Sequence, residues 1–282
     1  MMHTPNSAVN AIRMSRTVKP QHAALLLEGR KDNKIFSNFI DWDKCAPYVL
    51  SGRDNVLEAL ALARANQVPG VVAIVDRDSD HIYNRRIDDP CVAVTDKRDL
   101  EGMLIASPAL EKVFGEHEVR PTFDLRQTIA NGACHLGYMR ALCHANGWHV
   151  DFKRIRYNSF FDPRTGVVSN NLVASTVLGS AENVGFGRSP LEIDELIRGI
   201  SDASHDPLLV SQGHDMAAVA AEILKFYTGR RDITARDMES FLRLAFETEH
   251  FRTTSLFAAL CEWQETNKNF IVLKLGCPVI RT

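Results

Sequence analysis

The run Val71–Val75, which ends in Asp76-Arg77-Asp78-Ser79-Asp80, constrains this chain more than any other feature. Consecutive apolar residues, mostly β-branched and without polar alternation, read as a strand buried on both faces. That is the pattern of a parallel sheet covered by helices on its two sides. A second such run, Ala23–Leu27, stops at Glu28-Gly29. In sheets of this kind, reactive and binding groups gather beyond the carboxyl ends of the strands. Two apolar strands that each end in acid therefore place carboxylates where such a sheet does its chemistry.

The rest of the first 115 residues fits the same architecture. Asp32 can cap a helix carrying Ile35, Phe36, Phe39 and Ile40. Residues 48–50 read as another strand, and Asp54 or Asn55 caps a helix with Val56, Leu57, Leu60 and Leu62. Residues 91–94 read as a fourth strand, followed by a helix that starts near Asp99 and carries Leu100, Met103, Leu104 and Ile105. Strands alternating with helices predict an α/β fold with a mainly parallel sheet flanked by helices over residues 1–115. Beyond that, helical periodicity dominates in 125–143, 191–200, 216–227 and 235–263, broken by a β-like piece at 152–157 and a Gly/Asn/Ser-rich stretch at 158–171. The expectation is a mostly helical second domain over 116–282. The length of 282 residues, 45% of them hydrophobic, supports cores for both parts.

Three acidic clusters fall at strand ends or helix starts: Glu28 with Asp32, Asp76 with Asp78 and Asp80, and Asp99 with Glu101. Carboxylates gathered together repel unless a cation neutralises them. Mg²⁺ takes oxygen ligands, keeps several waters and usually needs only one or two carboxylates. The clusters are thus sufficient for a one- or two-metal phosphodiesterase site. Each also has a plain structural reading, as a helix cap, a turn or a solvated acidic loop.

The formal net charge of -2 argues against a protein that simply coats nucleic acid, so any such contact must come from local patches. Near the acids those patches are Arg77, Arg85, Arg86, Lys97 and Arg98. In the second half they are Lys153, Arg154, Arg156, Arg230 and Arg231. Phe160-Phe161 could stack on a base, although such pairs are more often core. His135, His144 and His149 form no metal spacing with any cysteine and read as structural. The six cysteines contain no CxxC pair, which predicts reduced thiols in a cytoplasmic protein. No apolar stretch is long enough to span a membrane, and no GxxxxGK[ST] segment is present, so the chain does not read as a P-loop ATPase.

The run LLLEGRKD, a strand–helix pair, and then VVAIVDRDSD resemble the Toprim fold, whose signature is a strand ending in Glu and a later strand ending in Asp-x-Asp. The EGxxD form, Glu28 to Asp32, looks like the OLD-like nucleases. DLEGML from Asp99 is similar to their later Asp-x-Glu segment, and SQGHDM from Ser211 to a small Gly-His/Lys-Asp motif. The nearest group is the Toprim effector subunits of PARIS-type anti-phage defence. The specific part of the resemblance covers residues 22–106.

The resemblance implies an Mg²⁺- or Mn²⁺-dependent nuclease that cleaves host tRNA in preference to DNA. It implies restraint by a separate ATPase subunit, homo-oligomerisation when free, and no membrane association. It implies that Glu28, Asp32, Asp76, Asp78 and Glu101 hold the metal or position its ligands, with Asp80 and Asp99 as further candidates. Glu28 would also be a possible base. His214 stands where such families often place a lysine that contacts the scissile phosphate; a capping or buried polar histidine is the alternative. A catalytically weak Toprim sensor or scaffold subunit, or an Asp-x-Asp phosphatase, also remains open from the residues alone.

Overall fold

The computed structural model describes residues 2–201, 205–274 and 276–277. The chain packs as two compact units that a single boundary near residue 115 does not separate. The first comprises the residues up to Arg77, Arg86–Asp96 and the described residues from Thr248 onward. The second comprises Asp78–Arg85 and Lys97–Glu247. A local run of sequence cannot reveal that the last helices return to the sheet, because that return is a tertiary contact.

The first unit holds a four-stranded, all-parallel sheet of β1 (Ala23–Leu27), β2 (Cys45–Val49), β3 (Val71–Val75) and β4 (Val92–Val94), in the order β2-β1-β3-β4. Leu27 pairs with both Val49 and Ile74, and Val75 with Val94, so the carboxyl ends of the strands are in register. All residues of β1 and β3 are buried, as their unbroken apolar sequence requires.

Alternate residues of a strand face opposite sides. Ala24, Leu26, Val71, Ala73 and Val75 share a core with α1 (Pro5–Val18) and α3 (Arg53–Ala65). The other face is met by α2 (Arg30–Phe36), and Phe36 and Phe39 pack against Phe251 of the late helix α12 (Thr248–Arg252), the first edge-on and the second tilted. The predicted α2 is shorter than its apolar spacing suggests. Gly29 rather than Asp32 is its N-cap, and Ile40 leaves the helix to form an antiparallel bridge with Leu273.

The second unit is mainly helical. It contains α4 (Leu100–Ala106), α5 (Ala109–Glu116), α6 (Leu125–Asn146), α7 (Asn170–Leu178), α8 (Pro190–Ser201), α9 (Pro207–Val210), α10 (Gly213–Thr228) and α11 (Ala235–Ala245). The β-like reading of 152–157 does not hold. The short hairpin lies later, as β5 (Phe161–Asp162) and β6 (Val167–Val168). The helical pattern over 235–263 resolves into α11, α12 and α13 (Ser255–Thr266), because the backbone turns extended at Phe246 and Thr254 caps a new helix within it.

Candidate active site

In a sheet of order 2-1-3-4 the connections leave β1 and β3 toward opposite edges, which opens a crevice between these two strands at their carboxyl ends. Glu28 follows β1 and Asp76 follows β3, so the two acids flank that switch point. The backbone N–H of Asp76 donates to Glu28 Oε1 at 2.8 Å. This ties the two strand ends together and fixes one oxygen of the Glu28 carboxylate. The next residue is anchored as well: Arg77 N–H donates to Thr95 Oγ1 at 2.9 Å and Arg77 Nε to the Thr95 carbonyl at 3.1 Å. Asp32 has a local role in the same unit. Its Oδ2 accepts from Gly29 N–H at 2.8 Å, closing the first turn of α2 beside Glu28.

Asp78 and Asp80 belong to the segment that packs with the helical unit. Asp78 is exposed, has a positive φ of 52°, and donates its N–H to the Arg98 carbonyl at 2.7 Å. That left-handed backbone is uncommon for a residue other than glycine. Glu101 and His214 lie in the second unit, at the first turns of α4 and α10. Of the acids expected at the metal, the first unit thus brings Glu28 and Asp76 together, while Asp78, Asp80 and Glu101 are carried by the second. Among the described residues no group of three or more His, Cys, Asp or Glu side chains stands in metal-ligating arrangement. Hydrated Mg²⁺ does not require three. Glu28 and Asp76 are the two oxygen-donor side chains beside the sheet's switch point, and the contact between them is the bond from the Asp76 backbone N–H to Glu28.

In the second unit the Gly-His-Asp triplet at the start of α10 is held residue by residue. Gly213 N–H donates to Asp99 Oδ2 at 2.7 Å, and Asp99 Oδ1 accepts from Gly102 N–H at 2.8 Å. Asp99 thus caps α4 and docks α10 onto it. A Cβ at position 213 would overlap Asp99 Oδ1 and Glu101 Cβ, so only glycine fits. Burial, with the Glu101 charge adding to it, pushes the Asp99 carboxyl up to about 7. His214 Nδ1 lies 2.7 Å from Glu239 Oε1. Asp215 is fully buried, receives Arg140 Nε and Nη2 at 2.8 and 2.9 Å, and accepts from Tyr157 Oη at 2.8 Å.

The cations divide. Arg85 and Arg86 are exposed, as a phosphate-gripping role requires. Lys97 pairs with Asp206 at 3.2 Å. Arg98 corrects the sequence reading: it is only 6% exposed, and its guanidinium donates to the carbonyls of Gly137 and Val210 and to Ser79 Oγ. It is a structural tie and not a surface contact for nucleic acid. Phe160 and Phe161 are buried and belong to the core. The expectation of reduced thiols is also corrected, since Cys261 and Cys277 form a disulfide. No helix among the described residues is long and apolar enough to cross a membrane.

Sequence reasoning missed Glu239, Arg140 and Tyr157. Each sits far from its partner in sequence, and nothing local distinguishes Glu239 from a solvated helix acid. Compared with known proteins, the chain matches no family model, no curated protein and no solved structure.

Proposed function

We propose that this protein is an Mg²⁺- or Mn²⁺-dependent nuclease of Toprim type that cleaves RNA, tRNA above DNA, as the toxic effector of an anti-phage defence system. The observation that carries the reading is the bond from the Asp76 backbone N–H to the Glu28 carboxylate, which joins two acid-bearing strand ends across the β1/β3 switch point. Acids at that place, on strands whose sequence resembles the Toprim signature, suit a cation that in turn suits a phosphate. When bound, the metal would neutralise the phosphodiester and lower the pKa of an attacking water.

The chain's own residues have distinct tasks. Glu28 holds one oxygen on the Asp76 N–H and presents the carboxylate as ligand or base. Asp32 fixes the turn on which Glu28 ends. Arg85 and Arg86 supply exposed positive charge for a nucleic-acid backbone. A nuclease toxic to its own cell needs restraint, and a separate ATPase subunit is the proposed partner, with homo-oligomerisation on release.

Cleavage of tRNA and plasmid DNA with Mg²⁺, with Mn²⁺ and with EDTA tests the reading. Cleavage that EDTA and Glu28→Gln both abolish supports it. A folded, metal-loaded wild type that cuts neither substrate would turn the assignment to a catalytically silent scaffold of the same complex. Purification of the protein expressed together with its neighbouring genes tests the partner: a co-purifying ATPase supports it, and a monomer alone speaks against it.

A further inference from the structure

We propose that the cavity at the amino ends of β1 and β2 binds a small organic phosphate, with the phosphate held among Lys19, Lys44 and Lys268. The inference stands apart from the nuclease reading. These are the ends at which the strands begin, whereas Glu28 and Asp76 lie where β1 and β3 stop.

The lining comes from three stretches far apart in sequence, all within the first unit. Lys19 and His22 lie between α1 and β1, Asp43 and Lys44 directly before β2, and Lys268 just past α13. Backbone bonds hold each stretch. His22 N–H donates to the Lys19 carbonyl at 3.1 Å, which closes a turn through Pro20. Ala23 N–H donates to the Lys44 carbonyl at 2.7 Å, which sets Lys44 beside the start of β1. Phe270 N–H donates to the Asn267 carbonyl at 2.8 Å, and the turn between them carries Lys268. Arg16, in the last turn of α1, lies over the Phe270 ring at 4.8 Å and donates to the Gly70 carbonyl at 3.2 Å. The turn with Lys268 is thereby tied to the end of α1.

Charge decides the class of ligand. Three lysines line the cavity against the single carboxylate of Asp43, an excess of two positive charges. Lys44 also meets Asp41, at 3.7 Å. Among the described residues Lys19 and Lys268 form no ion pair. Lysine binds phosphate as a point charge, and a phosphomonoester carries nearly two negative charges at neutral pH. The cavity measures about 610 Å³, within the ~300–1,000 Å³ of small-molecule sites and more than a bare phosphate needs. Pro20 and Ile271 supply apolar wall, and Gln21 and Asn269 supply amides, for the organic part.

Lysines just past α1 and α13 also complement the helix dipoles. That role accounts for Lys19 and Lys268 singly, but not for Lys44 or for the state of His22. The His22 Nε2 is buried with no hydrogen-bond partner. Burial first, and then the Lys19 charge, holds the imidazole below the usual histidine range; Arg16 adds to this, and the backbone of Trp42 and Asp43 opposes it. His22 therefore sits in a positive field that a bound dianion would offset, and its titration reports occupancy.

Isothermal titration calorimetry in buffer with EDTA tests the site without any metal that could draw phosphate to Glu28. At least one of two probes, ribose 5-phosphate and AMP, should bind with a Kd below ~1 mM. Inorganic phosphate should bind more weakly and adenosine not at all. The three lysines are exposed, so a Lys19→Gln/Lys44→Gln/Lys268→Gln variant should keep its fold, which circular dichroism checks. It should lose at least about tenfold in affinity for the ester, because the charge-assisted bonds are gone. Glu28→Gln should bind as wild type does. By NMR, with His22→Gln to assign the signal, the His22 pKa should rise on saturation in wild type and stay level in the triple variant.

No binding of either ester, equal affinity for inorganic phosphate and the esters, or binding that the triple variant retains would overturn the proposal. Loss of tRNA binding in the triple variant without ester binding in wild type would assign the lysines to a nucleic-acid backbone. A lowered melting temperature as the sole effect would assign them to the helix ends. Either result also overturns the small-ligand site.

Discussion

At the scale of single residues, the carboxylate of Glu28 has two tasks that mutations can separate. It is the acid at the switch point, and it also satisfies the backbone N–H of Asp76. From sequence alone, its removal should relieve charge repulsion and leave stability level or slightly raised. The hydrogen bond reverses that expectation for alanine. Glu28→Ala should cost about 1–2 kcal/mol through the unmatched N–H, whereas Glu28→Gln keeps an acceptor and should melt close to wild type. Both should be inactive, so melting curves beside cleavage assays separate the roles.

Asp99 gives a pH signature. Its folded carboxyl is raised to about 7 by burial first and by the Glu101 charge second, while an unfolded Asp titrates near ~3.9. Between these values the folded chain keeps a proton that the unfolded chain has released. The contribution of Asp99 to stability is therefore full below about pH 4 and is lost as pH rises through about 7. In metal-free buffer, the melting temperature of wild type relative to Asp99→Asn should fall as pH is raised across this window. A difference that stays constant with pH would show that Asp99 titrates as an ordinary surface acid.

At the scale of elements, the helical unit is organised by where α10 begins. Its first turn meets α4 through Asp99, α11 through Glu239, and α6 through Arg140. Helix α6 comes close to the end of α9 because Gly137 has no Cβ to strike the Val210 carbonyl. Arg98 bonds both carbonyls at that junction. The Arg140–Asp215 pair is bidentate, and its carboxylate is fully buried. Arg140→Ala leaves that carboxylate without its cation and should destabilise by about 3–5 kcal/mol, read from urea midpoints. Adding Asp215→Asn should restore part of the loss, because the stranded charge is then gone. A near-neutral Arg140→Ala would mean that Tyr157 alone can hold Asp215.

At the scale of the whole molecule, the last helices return to the sheet, and a covalent bond secures the chain there. Cys261 on α13 is bonded to Cys277, sixteen residues on. Between them, Gln264 Oε1 accepts from the N–H groups of Val272 and Leu273, each at 2.7 Å. Asp41 N–H donates to the Val272 carbonyl at 2.9 Å, and Lys274 N–H to the Phe39 carbonyl at 2.8 Å. A loop of that length constrains the unfolded chain by about 3 kcal/mol at most. Cys277→Ser should therefore lower stability by about 2–3 kcal/mol in non-reducing buffer. The same substitution in dithiothreitol should match the reduced wild type. Equal stability of wild type in both buffers would show that the bond does not persist in solution.

The sequence by itself determined the sheet and its acids. Strand runs such as 23–27 and 71–75 are apolar at every position, so burial on both faces is written into consecutive residues, and Glu28 and Asp76 are read off as the residues that stop them. The N-terminal turn of α10 was legible as a motif for a similar reason, since its Gly, His and Asp are adjacent. Only the tertiary structure decided what those residues touch. The strand order 2-1-3-4 brought Glu28 to Asp76 across a gap of 48 residues. Helix packing turned Glu239 inward and buried Arg98, and the return of the chain after Thr248 moved the domain boundary. The physical reason is range. Hydrophobic periodicity and capping act over a few residues, whereas burial of a charge and choice of its partner depend on contacts between segments far apart in the chain.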